Sequence, residues 1–168
     1  MKKLIITLAV LTSLIWPMHL FAAGTCTPVL SETLDTTGQT ALNTVVTVSC
    51  TGDSSDGTYP STAFSSAIMD RIRGLYLMTG SWKNGSTYPT ANSTLTLSTT
   101  NEGDILGGAG KGPTTAAASA VSKFTPVTDT TYATAGLVPI TADLTLQVTQ
   151  AGSATNSAAV TLVFKFVK

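Results

Sequence analysis

The sequence is poor in charge, in histidine and in cysteine. Charged residues make up 11% of the 168 positions, and nine basic residues balance nine acidic ones without forming a basic block. Nucleic acid is therefore not an expected partner. The one histidine, His19, lies in an N-terminal leader. A mature chain without histidine lacks the commonest general base and metal ligand, so we expect neither an enzyme nor a cofactor-binding protein.

The N-terminus has the three parts of a secretory signal peptide. Two lysines precede an apolar run at 4–15, which is short for a membrane span, and small residues follow at 22–24. We place cleavage after Ala23, with Ala22 as the alternative. Residues 1–23 are then the signal peptide and residues 24–168 a single domain.

Removal of the leader takes away two lysines, which leaves seven basic and nine acidic residues and a net charge of about −2. The rest of the chain has no apolar segment long enough to serve as a membrane anchor. The sequence thus predicts an exported protein without stable membrane insertion. It leaves the periplasm, the cell surface and the extracellular medium open as destinations.

The two cysteines, Cys26 and Cys50, are expected to form one disulfide bond, because exported chains meet an oxidising environment. Two free thiols are the alternative. A bond that closes a loop of this length contributes about 3 kcal/mol, mainly by restricting the unfolded chain. Thr25 stands where a lipid-attachment site requires a small residue, so Cys26 is not expected to carry a lipid.

Beyond the leader the sequence is rich in Thr, Ser and Val, and short alternating segments are separated by Gly, Asn, Asp and Pro. Such alternation buries one face of a strand and is typical of an antiparallel β-sandwich, of the jelly-roll or immunoglobulin-like type. The alternating segments lie at 44–50, 70–78, 93–99, 143–149 and 159–167. The residues predicted to face the core are Leu95, Leu97, Leu144, Leu146, Val148, Val160, Leu162, Phe164 and Phe166.

Other segments carry weaker expectations. Residues 64–72 are compatible with two helical turns, as an alternative to a strand from 70 onward. The region 107–131 is predicted to be a long surface loop, and residues 150–158 a hairpin loop between the last two strands. The C-terminal strand is the expected open sheet edge, with its lysines guarding that edge.

The glycine-rich stretch 104–115 superficially resembles a phosphate-binding loop. With Gly110-Lys111 aligned on the motif, Ile105 occupies the first glycine position and Gly112 the position of the required Ser or Thr. Nucleotide binding is therefore not expected. The stretch is predicted to begin with a short edge strand and to use its glycines for bends with positive φ.

Five residues are candidates for facing a ligand. Asp53, Asp56 and Asp104 lie in oxygen-rich turns that would suit Ca²⁺, although Asx turns explain the same residues without a metal. Trp82 and Tyr88 lie in a turn-like segment and would suit stacking on a sugar, although an aromatic loop anchor is the alternative. No catalytic residue is predicted.

The C-terminal half contains two motifs of strand and turn residues. The residues of the first motif are Pro89, Thr90, Asn92, Leu95, Thr96, Leu97, Gly103, Asp104, Ile105, Leu106 and Gly108. Those of the second are Leu144, Thr145, Leu146, Val148, Ala151 and Gly152. These motifs resemble small β-sandwich proteins encoded among the structural genes of tailed bacteriophages. The resemblance covers about residues 70–167, and it implies a β-sandwich with a virion-structural or surface role.

The chain is also similar, more weakly, to chaperone–usher pilins, which share its size, its all-β character, one disulfide and an alternating C-terminal strand. Only about two residues separate the predicted cleavage site from Cys26, where a pilin carries its donor strand. The penultimate residue, Val167, is not aromatic. This resemblance implies an atypical pilus or filament subunit.

Together these features predict an exported structural or interaction protein of the cell envelope or extracellular space. Its rigid sandwich would present loops such as 80–91 and 107–131 to a partner, which is either another copy of the chain or another envelope or surface protein. The alternatives are a glycan- or calcium-binding secreted module, and an atypical pilus or filament subunit.

Overall fold

The computed structural model describes residues 23–34, 41–100, 102–129, 134–152 and 154–168. These residues form antiparallel β-strands and one short helix. The strands are β1 (Thr25–Leu34), β2 (Ala41–Thr51), β3 (Thr62–Ala63), β4 (Tyr76–Asn84), β5 (Thr94–Thr99), β6 (Gly103–Asp104), β7 (Val121–Phe124), β8 (Val127–Asp129), β9 (Thr134–Ala135), β10 (Val138–Pro139), β11 (Leu144–Thr149) and β12 (Ala159–Val167). The helix, α1, spans Ser66–Ile72. The predicted signal peptide lies outside the described residues, except for Ala23.

Two sheets pack face to face, as the alternating segments predict. The larger sheet has the order β1-β2-β12-β4, with β10 and β7 both paired to successive parts of β4. The smaller sheet has the order β3-β11-β5-β6. Strands β8 and β9 form a separate ribbon. The predicted all-β sandwich is confirmed.

The strand pairs are nested along the chain. β2 pairs with β12, β3 with β11, β4 with β7 and β10, and β5 with β6, while β1 is added outside β2. A long antiparallel hairpin folded over itself gives this nesting, and alternate pairs then fall in opposite sheets. Nested pairing of this kind is the topology of a jelly roll, one of the two predicted sandwich types.

The core lies between the inward faces of the two sheets. All nine residues predicted to face inward are at most 2% exposed. Rings from three separate parts of the chain meet there: Phe164 lies 6.4 Å, centroid to centroid, from both Phe64 and Phe124. Aromatic pairs at this separation and tilt contribute beyond the area they bury, which makes β12 the centre of the core.

The predicted disulfide is confirmed and joins the two strands that open the fold. Cys26 of β1 lies directly opposite Cys50 of β2, with their Cα atoms 4.0 Å apart. Cys50 is 2% exposed, whereas Cys26 is half-buried. The bond therefore fixes the start of β1 to the edge of the core.

The predicted strand over 70–78 is wrong in its first half, where the helical alternative is correct. Ser65 caps α1 by accepting a hydrogen bond from the Ile68 amide, and the apolar residues at 68, 69 and 72 share one buried face. The helix ends before Gly74, which has φ of +82°. Alternation resumes only at Tyr76, where β4 begins.

The predicted surface loop at 107–131, whose last two residues lie outside the described ones, is only partly correct. Residues 121–124 form β7, which pairs with β4, and residues 127–129 form β8. Phe124 explains why this segment is held: its ring covers Gly80, where an added Cβ would come within 2.2 Å of a ring carbon. Glycine at position 80 thus makes room for the Phe124 ring in the core.

Two expectations for the C-terminus are wrong. Residues 150–158 do not close a hairpin, because β11 belongs to the smaller sheet and β12 to the larger one; they cross from one sheet to the other. Nor is β12 an edge: it pairs with β2 on one side and β4 on the other. Alternation identifies the buried face of a strand but not the strands that pair with it, which is why the central position of β12 was not predicted. The connection at 150–158 need not be a hairpin, because nine residues are long enough to span the roughly 10 Å between packed sheets.

Candidate functional site: a loop cluster around Gln150

Three loops meet at one end of the sandwich, and we call them the Gln150 loop cluster. They are residues 52–61 between β2 and β3, 85–93 between β4 and β5, and 150–158 between β11 and β12. Backbone hydrogen bonds join them: Gly52 N–H donates to the Ala158 carbonyl (2.8 Å) and Ala159 N–H to the Thr87 carbonyl (2.8 Å). The cluster is therefore one connected surface.

Gln150 holds the three loops together through a single side chain. Its Nε2 donates to the carbonyl oxygens of Gly57 (2.7 Å) and Thr155 (3.1 Å). Its Oε1 accepts from the backbone amides of Thr155 (2.8 Å) and Thr90 (3.3 Å). Both donors and both acceptor positions of the amide group are used. The side chain that links the loops is thus occupied internally, and it orders the surface instead of offering groups to a ligand.

A cleft of about 180 Å³ opens beside Gln150. Its walls are short stretches of β11 and of the first and third loops: Gly57, Thr58, Tyr59, Gln147, Val148, Thr149, Gln150 and Ala154. Tyr59 is buried and donates its hydroxyl to the Ala158 carbonyl (3.0 Å), and burial raises the pKa of this phenol. No charged side chain lines the cleft, and the polar side chains of Tyr59, Gln147 and Gln150 in its walls are hydrogen-bonded within the protein.

Asp53 and Asp56 belong to the cluster and organise its first loop. The Asp53 carboxylate accepts from the backbone amide (2.6 Å) and the hydroxyl of Ser55, and these bonds lower the pKa of Asp53. Asp56 accepts from the amide (2.9 Å) and hydroxyl (2.8 Å) of Thr58. This is Asx-turn chemistry, the explanation weighed against calcium in the sequence.

The residue that follows the predicted cleavage position packs against the same turn. A Cβ placed on Gly24 would lie 2.6 Å from the Thr58 carbonyl oxygen and 3.0 Å from the Asp53 amide nitrogen. Only glycine fits so close to backbone atoms without a shift. Gly24, one residue before β1, therefore fixes the strand's start beneath the first loop of the cluster.

Trp82 does not face solvent, so the expectation that it lies in an exposed turn is wrong. It stands within β4 and is fully buried, and its indole Nε1 donates to Asn84 Oδ1 (2.9 Å). Asn84 is itself buried and donates to the Ala117 carbonyl (3.0 Å). Tyr88 is half-buried within the second loop of the cluster. Of the predicted ligand-facing residues, the cluster gathers Asp53, Asp56 and Tyr88.

Asp104 lies at the other end of the smaller sheet, where β6 pairs with the end of β5. Its carboxylate accepts three backbone amides, from Leu97 (3.1 Å), Leu106 (3.1 Å) and Gly108 (3.0 Å). All three bonds close the turn that begins the glycine-rich stretch. Asp104 therefore orders this turn and is remote from the loop cluster.

The glycine-rich stretch runs back along β5 and covers that sheet edge. The amide of Ile105 donates to the Leu97 carbonyl and that of Gly112 to the Ser93 carbonyl, both at 2.8 Å. Gly107 and Gly108 adopt φ of +58° and +76°, which confirms the predicted bends. A Cβ on Gly110 would lie 2.2 Å from the Leu95 carbonyl oxygen. The glycines thus allow close backbone approach to the strand.

Across the described ranges, no group of three or more His, Cys, Asp or Glu is placed to hold a metal ion. Every buried side-chain nitrogen and oxygen there has a hydrogen-bond partner. No helix in the described part of the chain is both long and apolar enough to cross a membrane.

Sequence reasoning missed Gln150 and the Trp82–Asn84 pair. The second had a usable signal, because residues two apart in a strand share a face, so a tryptophan and an asparagine at this spacing meet. Gln150 had none, since its partners are backbone atoms of three separate loops. No family model, curated protein or solved structure matches the chain, so the phage and pilin resemblances stay predictions.

Proposed function

We propose that this chain is an exported structural or interaction protein of the cell envelope or extracellular space, and that it engages its partner through the Gln150 loop cluster. The observation that carries the proposal is the internal saturation of Gln150, which ties three loops into one ordered surface. Ordered loops bind with little further loss of conformational entropy, so a rigid presented surface favours recognition.

One covalent bond supports the rigidity of this end. Cys50 of the Cys26–Cys50 bond is the second-last residue of β2, so the bond lies next to the start of the first loop at residue 52. Disulfides persist in oxidising compartments, which agrees with the predicted signal peptide. The sandwich thus acts as the support and the cluster as the presented surface.

The chemistry of the exposed residues indicates the kind of partner. The side chains exposed on the cluster are polar and mostly neutral, and they include Ser55, Asp56, Thr58, Ser86, Thr87, Asn92, Asn156 and Ser157. Such a surface recognises its partner by hydrogen bonds more than by apolar burial. A protein surface of the cell envelope is the partner we propose; a glycan that hydrogen-bonds to the same exposed polar side chains is the alternative.

Site-specific photocrosslinking tests this proposal in the native host. A photoreactive residue at Ser86, exposed in the second loop of the cluster, is expected to capture a discrete partner. The matched control is Thr100, which is also exposed but follows β5 at the opposite end of the smaller sheet. Capture at Ser86 alone supports presentation by the cluster. Equal capture at both positions, or retention of the protein in the cytoplasm, would contradict it.

A further inference from the structure

Strand β1 is the one long sheet edge left unpaired in the described part of the chain. It has ten residues and pairs only with β2. The other terminal strands are short: β3, β6 and β10 have two residues each and β7 has four. Proteins that stay monomeric usually blunt their edges with short strands, lysines, prolines or bulges. β1 carries no lysine and one proline, Pro28, and its only irregularity lies at Thr33/Leu34.

The register shows which backbone groups of β1 point outward. Directly opposed residues 4.0 Å apart, as Cys26 and Cys50 are, form the narrow pair that does not exchange hydrogen bonds. Every second residue then shares this orientation. The amides of Cys26, Leu30 and Glu32 therefore point away from β2, and so do their carbonyls. Pro28 has the same orientation, so the backbone N–H that proline lacks would have pointed away from β2. Its absence therefore removes no hydrogen bond between β1 and β2.

Both ends of β1 are held in place, so the edge is preformed. The disulfide fixes Cys26, and Glu32 makes a bidentate ion pair with Arg71 of α1, at 3.0 Å and 2.6 Å. Glu32 is the only charged residue of the strand, and Arg71 pairs with it. On the solvent-exposed face of the sheet, the side chain of Val29 in β1 is 58% exposed. The edge is thus extended, ordered and without unpaired charge of its own.

We propose that β1 pairs antiparallel with β1 of a second copy, which joins the two larger sheets into one continuous sheet across a two-fold axis. A partner strand must be long, extended and open on one side, and β1 itself meets all three conditions in every copy. A two-fold axis makes the two strands antiparallel, the direction used throughout this sheet. The neutral edge gives no repulsion between identical strands.

This contact closes on itself. Both copies use the same edge, so pairing consumes both edges and leaves none for a third copy. Pro28 removes one outward donor from each strand, which weakens the pairing without preventing it. The proposal therefore predicts a discrete dimer and not the open filament of a pilus subunit. Dimerisation through β1 does not depend on the Gln150 loop cluster, so a negative result for one leaves the other untouched.

Sedimentation velocity on the disulfide-bonded chain from residue 24 onward, from micromolar to millimolar concentration, tests the proposal. Val29→Lys places two lysines close together near the middle of the paired edges, and we expect it to weaken dimerisation about tenfold or more. The control is Ser49→Lys, which adds the same charge to the same exposed sheet face but on β2, and should change dimerisation by less than about twofold.

Ser31→Lys, also exposed on β1, is the second variant, and circular dichroism checks that each variant folds. A dimer that both β1 variants weaken and the β2 control does not supports the proposal. It is overturned by a wild-type monomer at millimolar concentration, by growth beyond a dimer, or by a dimer that either β1 variant leaves intact. An equal effect of the β2 control would also overturn it.

Discussion

Strands β1 and β12 both run for nine or ten residues in the larger sheet, yet their surroundings differ. In β12 the inward residues at 160, 162, 164 and 166 are at most 2% exposed, and both sides of the strand are paired. In β1 the inward residues Cys26 and Leu30 are only half-buried, and one side of the strand has no partner among the described residues. The smaller sheet does not cover β1 as it covers β12.

This difference shows that the position of a strand in the sheet, more than its own pattern, decides what the strand can do. β12 stabilises the core and is paired along both sides, so it presents no free edge to a partner. β1 contributes less to the core and retains a row of outward amides and carbonyls. The first strand is therefore free to serve association, while the last one serves stability.

The largest expected effect comes from truncating the two strands at matched inward positions. Phe164→Ala in β12 should lower the free energy of unfolding by about 3–5 kcal/mol, because it removes a ring that packs between Phe64 and Phe124. Leu30→Ala in β1 should cost about 1–2 kcal/mol, since its site is already half-open to water. Urea denaturation measures both, and equal costs for the two variants would show that β1 and β12 contribute equally to the core.

The disulfide should have the next largest effect. Replacing both Cys26 and Cys50 by alanine is expected to cost about 3 kcal/mol in the free energy of unfolding, because the unfolded chain loses a loop constraint. The same change should loosen β1 more than β12, which hydrogen exchange of the two strands resolves. A double variant as stable as the wild type would show that β1 is held without the bond.

For β12, the sequence predicts the buried face of the strand but not its position in the sheet. Alternation at 159–167 correctly predicted which residues of β12 are buried, because the side-chain period of a strand is a local property. It could not predict that β12 is central, since strand neighbours depend on the path of the whole chain. Of the candidate site, the Asx turns at Asp53 and Asp56 were predictable from their own loop, whereas the link through Gln150 was not.

A buried polar pair beside β12 gives a smaller effect. Asn84→Ala removes the acceptor of the Trp82 indole N–H and should cost about 1–3 kcal/mol, the penalty for an unsatisfied buried donor. Lys83 lies between Trp82 and Asn84 in the sequence, and its side chain is exposed. The free energy of unfolding of Lys83→Ala should therefore differ from that of the wild type by no more than about 0.5 kcal/mol. Thermal unfolding followed by Trp82 fluorescence tests this pair, and similar shifts for both variants would contradict it.

The smallest effect is the pH dependence of the first loop of the Gln150 loop cluster, residues 52–61. Hydrogen bonds from Ser55 lower the pKa of Asp53 below 3.8, so its stabilising contribution is full above pH 3.8 and is lost as the pH falls through the lowered value. Nuclear magnetic resonance should show the Ser55 amide shifting only in that acid range. Asp53→Asn should abolish the shift, and a midpoint above 3.8 would contradict the assignment.

Amide hydrogen exchange distinguishes β1, the open edge of the larger sheet in the described part of the chain, from β12, its closed centre. At low protein concentration the amides of Leu30 and Glu32 should exchange fast, while those between Val160 and Phe166 exchange slowly. At high concentration the two β1 amides should become protected, as their edge is covered by a second copy. Slow exchange of Leu30 and Glu32 at every concentration, or fast exchange throughout β12, would show that β1 is not the open edge or that β12 is not the closed centre.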